Sequence, residues 1–360
     1  MSHQMDAAWH RLMAALYSDL DSFTLKQRFL AELRKAIPFD AAFLAGADPV
    51  TNLFTSSYTQ GIPTSEARRF LHNELAESDV NKFRELSEDR VPVARLDRAT
   101  QGERLASARY REIMRPIGFG DELRAALRVS SMTWGYLCLH REDVPTGFTG
   151  GEAAFIARLG PHMAEALRRA ILMERAGAES TTEGPGVCLV AEDWSVIAST
   201  PSADRMLAEL GEADSDSPFA VPLAVYDVVQ RLNHMTHIDR TQGVVPRIRI
   251  QTRSGRWIVL HASRMTATPV TGPAPVVVVM EPATAADLAS LIFAAYAFTR
   301  RESEIVTLML KGAPAKQIAS SLKISQYTVN DHIKAIFEKV GVGTRAQLAA
   351  ELQGLYFRRP

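Results

Sequence analysis

The pattern that most constrains this chain is a stripe of apolar residues near its C-terminus. Spacings of four, three, one and three positions place all five on one side of an α-helix. Ser325, a favourable N-cap residue, precedes them, which predicts a helix over Gln326 to Val340, about 22 Å long. The other side of this helix is polar, so we expect one buried face and one exposed face. The stripe consists of Val329, Ile333, Ile336, Phe337 and Val340.

Short helices are predicted on both sides of the stripe. Thr299 and Glu302 have the spacing of a capping box, which begins a helix. Pro314 is suited to the first turn of a second, short helix, and Lys323 begins the turn that leads into the third. A fourth helix is predicted from Arg345 to Leu355. Four short helices with a tight turn between the second and third form a helix-turn-helix with a supporting helix.

The charge of the chain is unevenly distributed, although the 360 residues sum to zero. Residues 297–360 hold ten Lys or Arg residues against five acids, a net charge of +5, and the rest of the chain carries −5. A basic terminal segment on an acidic body is typical of a module that binds phosphate groups. A solvated helical surface carries similar charge, so charge alone leaves both interpretations open.

The segment TRRESEIVTLMLKGAPAKQIASSLKISQYTVNDHIKAIFEKVGVGTRAQL resembles the LuxR/GerE-type helix-turn-helix of bacterial transcription regulators. Two departures from the family pattern are Pro314, where the second helix begins, and Asp331, an acid on the helix that should approach DNA. The resemblance implies a four-helix domain that binds double-stranded DNA. It is carried by Thr299, Glu302, Gly312, Ile318, Ala319, Leu322, Ile324, Ser325, Thr328, Val329, His332, Ile336, Lys339, Gly341, Val342, Arg345 and Leu348.

By this resemblance the base-reading positions fall on Asn330, Asp331 and Lys334. The major groove is about 12 Å wide and admits one α-helix. Asn can pair with adenine, Lys with guanine, and Asp can accept from the cytosine amine. The alternative for all three is a solvated helix face, and Asp331 also fits a role in complementing the helix dipole.

Other polar residues of this domain are candidates for phosphate contacts, which set the register on DNA without carrying sequence information. Tyr327 suits either a base or a phosphate contact. The candidates are Lys316, Gln326, Tyr327, Thr328, Lys339 and Arg345.

Two α+β segments with antiparallel sheets are predicted ahead of the helical domain. Residues 1–176 resemble a GAF-type sensory domain in the runs IPFDAAFL, DVNKF, GFGDELRAAL and WGYLCLHRE. Strands at Leu123 to Val129 and Trp134 to His140 and a helix from Gly151 to Arg175 are expected there, with polar helices in the middle.

Residues 177–186 have the composition of a linker, and 187–283 resemble a PAS-type domain in strand order. Val276 to Val279 is expected to be a buried central strand. A connecting helix at 284–297 leads to the LuxR-type domain at 298–360. The fold class is therefore multidomain: two α+β sensory domains followed by an all-α domain.

Several classes of function are disfavoured. The chain shows neither a nucleophile–base constellation nor a GxxxxGK[ST] loop, so we expect no enzyme and no ATP-driven regulator. His234 and His237 lack a second pair of ligands, and Cys138 and Cys188 are far apart, so neither a metal nor another cofactor is expected. The longest apolar run is too short for a membrane span, and a cytoplasmic location is expected.

The sequence thus predicts a one-component, signal-responsive regulator of transcription. Its expected partners are double-stranded DNA, a second copy of the chain and a small-molecule effector, with RNA polymerase as a further candidate. Two alternatives remain open: a sensory or protein-interaction module with a degenerate helix-turn-helix, and a cofactor-binding GAF/PAS sensor.

Overall fold

The computed structural model describes residues 2–142, 147–173, 184–210, 221–234, 246–252, 254–265 and 275–354. The chain forms two compact units, Met1–Pro282 and Ala283–Pro360. Over the described ranges, the first unit contains two five-stranded sheets and the second is helical.

The first sheet is antiparallel, with the spatial order β2-β1-β5-β4-β3. Of the two long apolar strands, β5 extends its predicted run at both ends, and β4 extends its run at the start and ends at the predicted Val129. Two strands were not predicted: the mostly polar β2, and the short β3 within the expected polar helices. The strands are β1 (Ala41–Asp48), β2 (Leu53–Gln60), β3 (Val93–Arg95), β4 (Phe119–Val129) and β5 (Met132–Glu142).

Helices surround this sheet. The long predicted helix is present as α6, and it packs on β4 and β5 through a stripe that includes Ile156, Leu159 and Met163. Short 3-10 and π-helical turns lie between Arg104 and Ile117. The helices are α1 (Ser2–Leu16), α2 (Ser22–Ala36), α3 (Thr64–Ala76), α4 (Phe83–Glu88), α5 (Leu96–Ala99) and α6 (Gly150–Met173).

The second sheet has the spatial order β7-β6-β10-β9-β8. Strand β10 lies in the middle, as its run of four valines predicted, and Val278 is fully buried. Most of the predicted linker lies outside the described residues. The elements are β6 (Gly186–Val190), β7 (Val196–Ser199), α7 (Pro201–Leu210), α8 (Leu223–His234), β8 (Arg247–Gln251), β9 (Trp257–Arg264) and β10 (Val276–Pro282).

The second unit is a bundle of five short helices over the residues described. Its core contains Ile305, Ile318 and Ile336, and Ile292 of the first helix also packs into it. Together with the two sheets, this bundle confirms the predicted fold class. The helices are α9 (Ala285–Ala295), α10 (Arg300–Leu310), α11 (Ala315–Leu322), α12 (Gln326–Val340) and α13 (Arg345–Gly354). Among the residues described, we find no helix with the length and apolar character that crossing a membrane requires.

Candidate nucleic-acid interface

Helix α10 begins at the predicted capping box. The Thr299 hydroxyl accepts from the Glu302 amide at 3.2 Å, and the Glu302 carboxylate accepts from the Thr299 amide at 2.7 Å. Two of the four amides that lack an intrahelical partner at this helix start are therefore satisfied by side chains.

The same carboxylate also holds the end of α12. Glu302 is buried and accepts from the Lys339 ammonium at 2.6 Å, which also donates to the Ala297 carbonyl at 2.9 Å. Burial by itself would raise the pKa of Glu302, but the hydrogen bonds from Lys339 and Thr299 outweigh it and lower that pKa. This contact joins the first and third helices of the helix-turn-helix.

The turn between α11 and α12 depends on a left-handed lysine. Lys323 has φ 53° and ψ 45°, and the Ile324 amide donates to the Ala319 carbonyl at 3.1 Å. Pro314 is the N-cap of α11, one position before the first turn where the sequence placed it, because the helix itself begins at Ala315. Its backbone is extended, with ψ 158°, and the helix begins at the next residue.

Helix α12 has the predicted bounds. The Ser325 hydroxyl accepts from the Thr328 amide at 3.0 Å, and Gly341, at φ 76°, ends the helix with its amide on the Phe337 carbonyl at 2.8 Å. Val329 and Ile336 are completely buried, and the remaining residues of the stripe are partly buried against the same core. The apolar stripe therefore packs α12 onto the core and fixes the rotation of this helix about its own axis.

The three candidate base-reading residues lie on the outer side of α12. Asn330, Asp331 and Lys334 are all exposed. Within the part of the chain that the structure describes, none of their side chains makes a hydrogen bond or an ion pair. Asn330 and Lys334 are four positions apart, so they lie one above the other on the helix surface.

The candidate phosphate contacts are spread over three helices. Lys316 and Gln326 are exposed, and Tyr327 has 78% of its surface in solvent. The half-buried Thr328 shares its hydroxyl with Ser325 at 2.8 Å. Gln326, Tyr327 and Thr328 form the first turn of α12, and Lys316 lies in α11.

Two of the phosphate candidates have internal partners that are more than 30 positions away along the chain. Lys339 uses two of its three N–H donors on Glu302 and Ala297. Arg345 donates from Nη1 to the Ala313 carbonyl at 2.9 Å, which ties the start of α13 to the loop before α11. Each therefore has a structural role, and contact with phosphate stays a prediction for both.

Comparison with known proteins identifies the helical unit. The family model for bacterial regulatory proteins of the luxR family matches residues 296–352. The spore germination protein GerE of Bacillus subtilis (strain 168) is 43% identical over 54 residues, 15% of this chain and 73% of that protein. The chain belongs to the LuxR family. This confirms the resemblance seen in the sequence, and the protein is a DNA-binding regulator of transcription.

Solved structures show more distant likenesses to this LuxR-family chain. Escherichia coli SdiA is 13% identical with a TM-score of 0.37, over 97% of each chain. The GAF domain of a Coxiella burnetii phosphoenolpyruvate-protein phosphotransferase is 16% identical with a TM-score of 0.35, over 47% of this chain and 95% of that one. A ligand–DNA complex of VqmA from Vibrio cholerae is 16% identical with a TM-score of 0.23, over 49% and 86%. These likenesses are too distant to assign a ligand or a site to this chain.

Outside the helical unit, one cluster among the residues that the structure describes has the donor atoms of a metal site. Glu122, Cys138 and His140 are buried, and their donor atoms lie within 4.8 Å of one another. Glu122, however, is paired with the guanidiniums of Arg109 at 2.7 Å and Arg124 at 3.1 Å. Burial would raise the pKa of Glu122, but these two cations outweigh it and lower that pKa strongly. Two positive charges beside the carboxylate disfavour a bound cation, so we assign the cluster to a charge network.

Proposed function

We propose that α12 enters the major groove of DNA and that Asn330, Asp331 and Lys334 read base edges there. The observation that carries this proposal is the division of the helix into two faces. The apolar stripe is buried in the core, while the three polar side chains are exposed and unpartnered among the described residues. The carboxamide suits adenine, the ammonium guanine and the carboxylate the cytosine amine.

Phosphate contacts then set the register of the helix on the duplex. We assign these to Lys316, which is exposed on α11, and to Gln326, Tyr327 and Thr328 in the first turn of α12, of which the first two are exposed. Lys339 and Arg345 remain candidates with fewer free donors. Such contacts add affinity for any sequence and make binding strongly dependent on salt.

Lys334→Ala tests the base-reading role. On the cognate site, found by selecting bound fragments from the source genome, the loss should be about 1–3 kcal/mol, or roughly 5- to 150-fold in affinity. On random DNA the loss should be much smaller. Fluorescence anisotropy with both duplexes at two salt concentrations measures it.

The control is Lys311→Ala, which removes an exposed lysine at the end of α10 and should weaken both duplexes little and to the same degree. Equal weakening by Lys334→Ala on cognate and random DNA would mean that Lys334 contacts phosphate only. Affinity that does not fall with salt would favour a degenerate helix-turn-helix that serves protein contacts.

We further propose a homodimer that acts as a one-component regulator in the cytoplasm. Two recognition helices would then read half-sites about 34–36 Å apart, which footprinting on the selected fragments would show. Residues 1–176 and 187–283 would be the sensory domains, joined by 177–186, and residues 284–297 would connect them to the DNA-binding domain at 298–360.

A small-molecule effector would act through its different affinity for DNA-competent and incompetent arrangements. RNA polymerase is the partner we propose for the bound regulator, and transcription in vitro from a selected site tests that contact. Membership of the LuxR family supports DNA binding, and not catalysis, as the output.

A further inference from the structure

A cavity of about 90 Å³ lies within the first unit, between the two sheet-containing halves. One wall is the face of the first sheet with helix α3, and the opposite wall comes from α8 and β8 of the second half. Ala224, Asp227 and Ile250 are the contributions of the second half. The cavity thus has walls from both predicted sensory domains.

The second half is fixed over the cavity by several contacts. Arg249 of β8 pairs with the buried Asp48 at the end of β1. Gln230 of α8 lies 3.3 Å from the ring of His72 on α3. The cavity is therefore part of a packed junction between elements distant in the chain.

Most of the wall is apolar and aromatic. Phe43, Phe54 and Phe83 form a cluster with ring centroids 5.4 to 6.3 Å apart, and Phe70 of α3 adds a fourth ring. An engineered cavity of roughly 150 Å³ holds benzene, which has six non-hydrogen atoms, so this smaller space suits a molecule of roughly four. An apolar occupant is favoured by these rings.

The charged groups on the first-sheet side are paired with one another. Arg124 donates to Glu74 at 2.6 Å, and its guanidinium carbon lies 4.4 Å from the centre of the Phe83 ring. Glu122 behind them accepts from Arg109. Their charges are compensated within the protein.

His140, in contrast, has an unused ring nitrogen. The Cys138 sulfur lies 3.3 Å from the Glu122 carboxylate and 3.3 Å from His140 Nε2. Because Glu122 is ionised, the thiol donates to it, and His140 Nε2–H then donates to the sulfur. Burial lowers the pKa of His140 to about 4, so the ring is neutral and Nδ1 is an acceptor that has no partner among the described residues.

Asp227 is the second unpartnered group of the cavity. Its side chain is buried, and Oδ1 makes no hydrogen bond to any described residue. Burial raises the pKa of this carboxyl to about 6, against the opposing effect of Arg231. At neutral pH it is therefore mainly an ionised acceptor in an apolar wall, an arrangement that costs free energy unless a donor arrives.

We propose that this cavity binds a small, mainly apolar ligand of about four non-hydrogen atoms, which carries either a hydroxyl that donates to Asp227 or an amine that donates to both Asp227 and His140. Calling this ligand the effector rests on the proposed function. The ligand would contact both halves of the first unit at once, so its binding would favour the packed arrangement of the two over any other.

Four probes of matched size, each with four non-hydrogen atoms, test the donor requirement in the full-length protein at pH 7.5: 2-propanol, isopropylamine, acetone and 2-methylpropane. Ligand-observed NMR without DNA measures their dissociation constants. We expect the alcohol or the amine to bind at least about tenfold more tightly than the ketone, which only accepts, and than the hydrocarbon. Tighter binding of the alcohol would identify a neutral donor, and tighter binding of the amine a charged one.

Asp227→Asn keeps the shape and replaces the carboxylate by an amide that can also donate. In this variant the ketone should bind within about threefold of the alcohol, and the amine should lose the most affinity. Asp19→Asn is the control, because that side chain is three-quarters exposed and lies outside the cavity wall. Ala67→Leu, which fills part of the cavity, should weaken all four probes.

Equal affinities for the four probes, no saturable binding of any, or the same preferences after Asp227→Asn would overturn the proposal. The effector role is measured separately, by DNA affinity with and without the tightest probe. A wild-type chain that binds no DNA would refute the proposed function, while the probe preferences would still decide the ligand site. A probe that binds as expected and leaves DNA affinity unchanged would refute the effector role alone.

Discussion

The contact between Glu302 and Lys339 should hold the recognition helix α12 in place, and Glu302→Gln tests this directly. The substitution keeps the size of the side chain and an acceptor for the Thr299 amide, and it removes the negative charge that Lys339 meets at 2.6 Å. Lys339→Met is the reciprocal change, since it keeps the apolar stem and removes the ammonium. Together with the double variant, these two variants form a double-mutant cycle.

The expected coupling follows from the surroundings of the two groups. Hydrogen bonds to charged groups contribute roughly 1.5–3 kcal/mol, whereas neutral ones contribute about 1 kcal/mol. The Glu302 side chain is 6% exposed, but that of Lys339 is 32% exposed, so water recovers part of the loss. We therefore expect a coupling free energy of about 1–2 kcal/mol, equivalent to a change of roughly 5- to 30-fold in local opening.

Hydrogen exchange of the full-length chain, followed by mass spectrometry, measures this coupling. Amides of 326–340 should exchange faster by that factor in each single variant, and the double variant should add little. Amides of 119–142 in the first sheet are the internal control and should not change. Strictly additive effects, or unchanged exchange in α12, would refute the structural role of the pair.

The same pair gives the DNA-binding assay a clear prediction. If Lys339 acts through Glu302, Lys339→Met should leave the salt dependence of binding unchanged, whereas loss of a phosphate contact should reduce the slope by about 1. The pKa of Glu302 is lowered by its partners, so its contribution is present above the ordinary value of 4.5. It is lost as the pH falls through the lower value of the folded protein.

Other predictions concern stability. Gly341→Ala should cost about 1–2 kcal/mol, because φ is 76° and the space around the added methyl group is open, whereas Gly343→Ala, without a positive φ, should cost little; thermal unfolding compares them. Asp227, with its pKa raised from 3.8 to about 6, stabilises the fold by about 3 kcal/mol below pH 3.8, and this is lost as the pH rises through 6. His140, lowered from 6.5 to about 4, contributes in the opposite sense, with stability present above pH 6.5 and lost as the pH falls through 4. Denaturant titrations from pH 4 to 6 measure the free energy of unfolding of each variant. For Asp227→Asn this free energy should rise with pH, and for His140→Gln it should fall. A pH dependence unchanged from that of the wild type would contradict the burial assigned to these two groups.

The helical unit was largely predictable because its signals are local. Ser325 caps α12 three residues from the amide that it satisfies, and the Thr299 capping box spans the same distance. The stripe repeats with the period of the helix, so its rotation could be predicted as well. Strand β10 was predictable for a similar reason, since four consecutive valines suit a strand covered on both faces.

Strand β2 was not predictable, because its sequence LFTSSYTQ has little apolar alternation. It pairs along β1 and contacts β8 from the second half of the unit. The burial of such a strand is set by partners from a distant part of the chain. Its own residues therefore indicate only weakly that it is a strand.

The sequence alone determined where the helices of the DNA-binding unit begin and end and which side of α12 faces outward, because caps and periodicity act within a few residues. Tertiary structure alone decided which charges meet. Lys339 pairs with Glu302, 37 positions away, and Arg109, in the helical turns before β4, pairs with Glu122 of that strand. It also decided that Asp227 and His140 share one cavity. Burial, which gives these charges their energetic weight, is a property of the packed chain and not of any local segment.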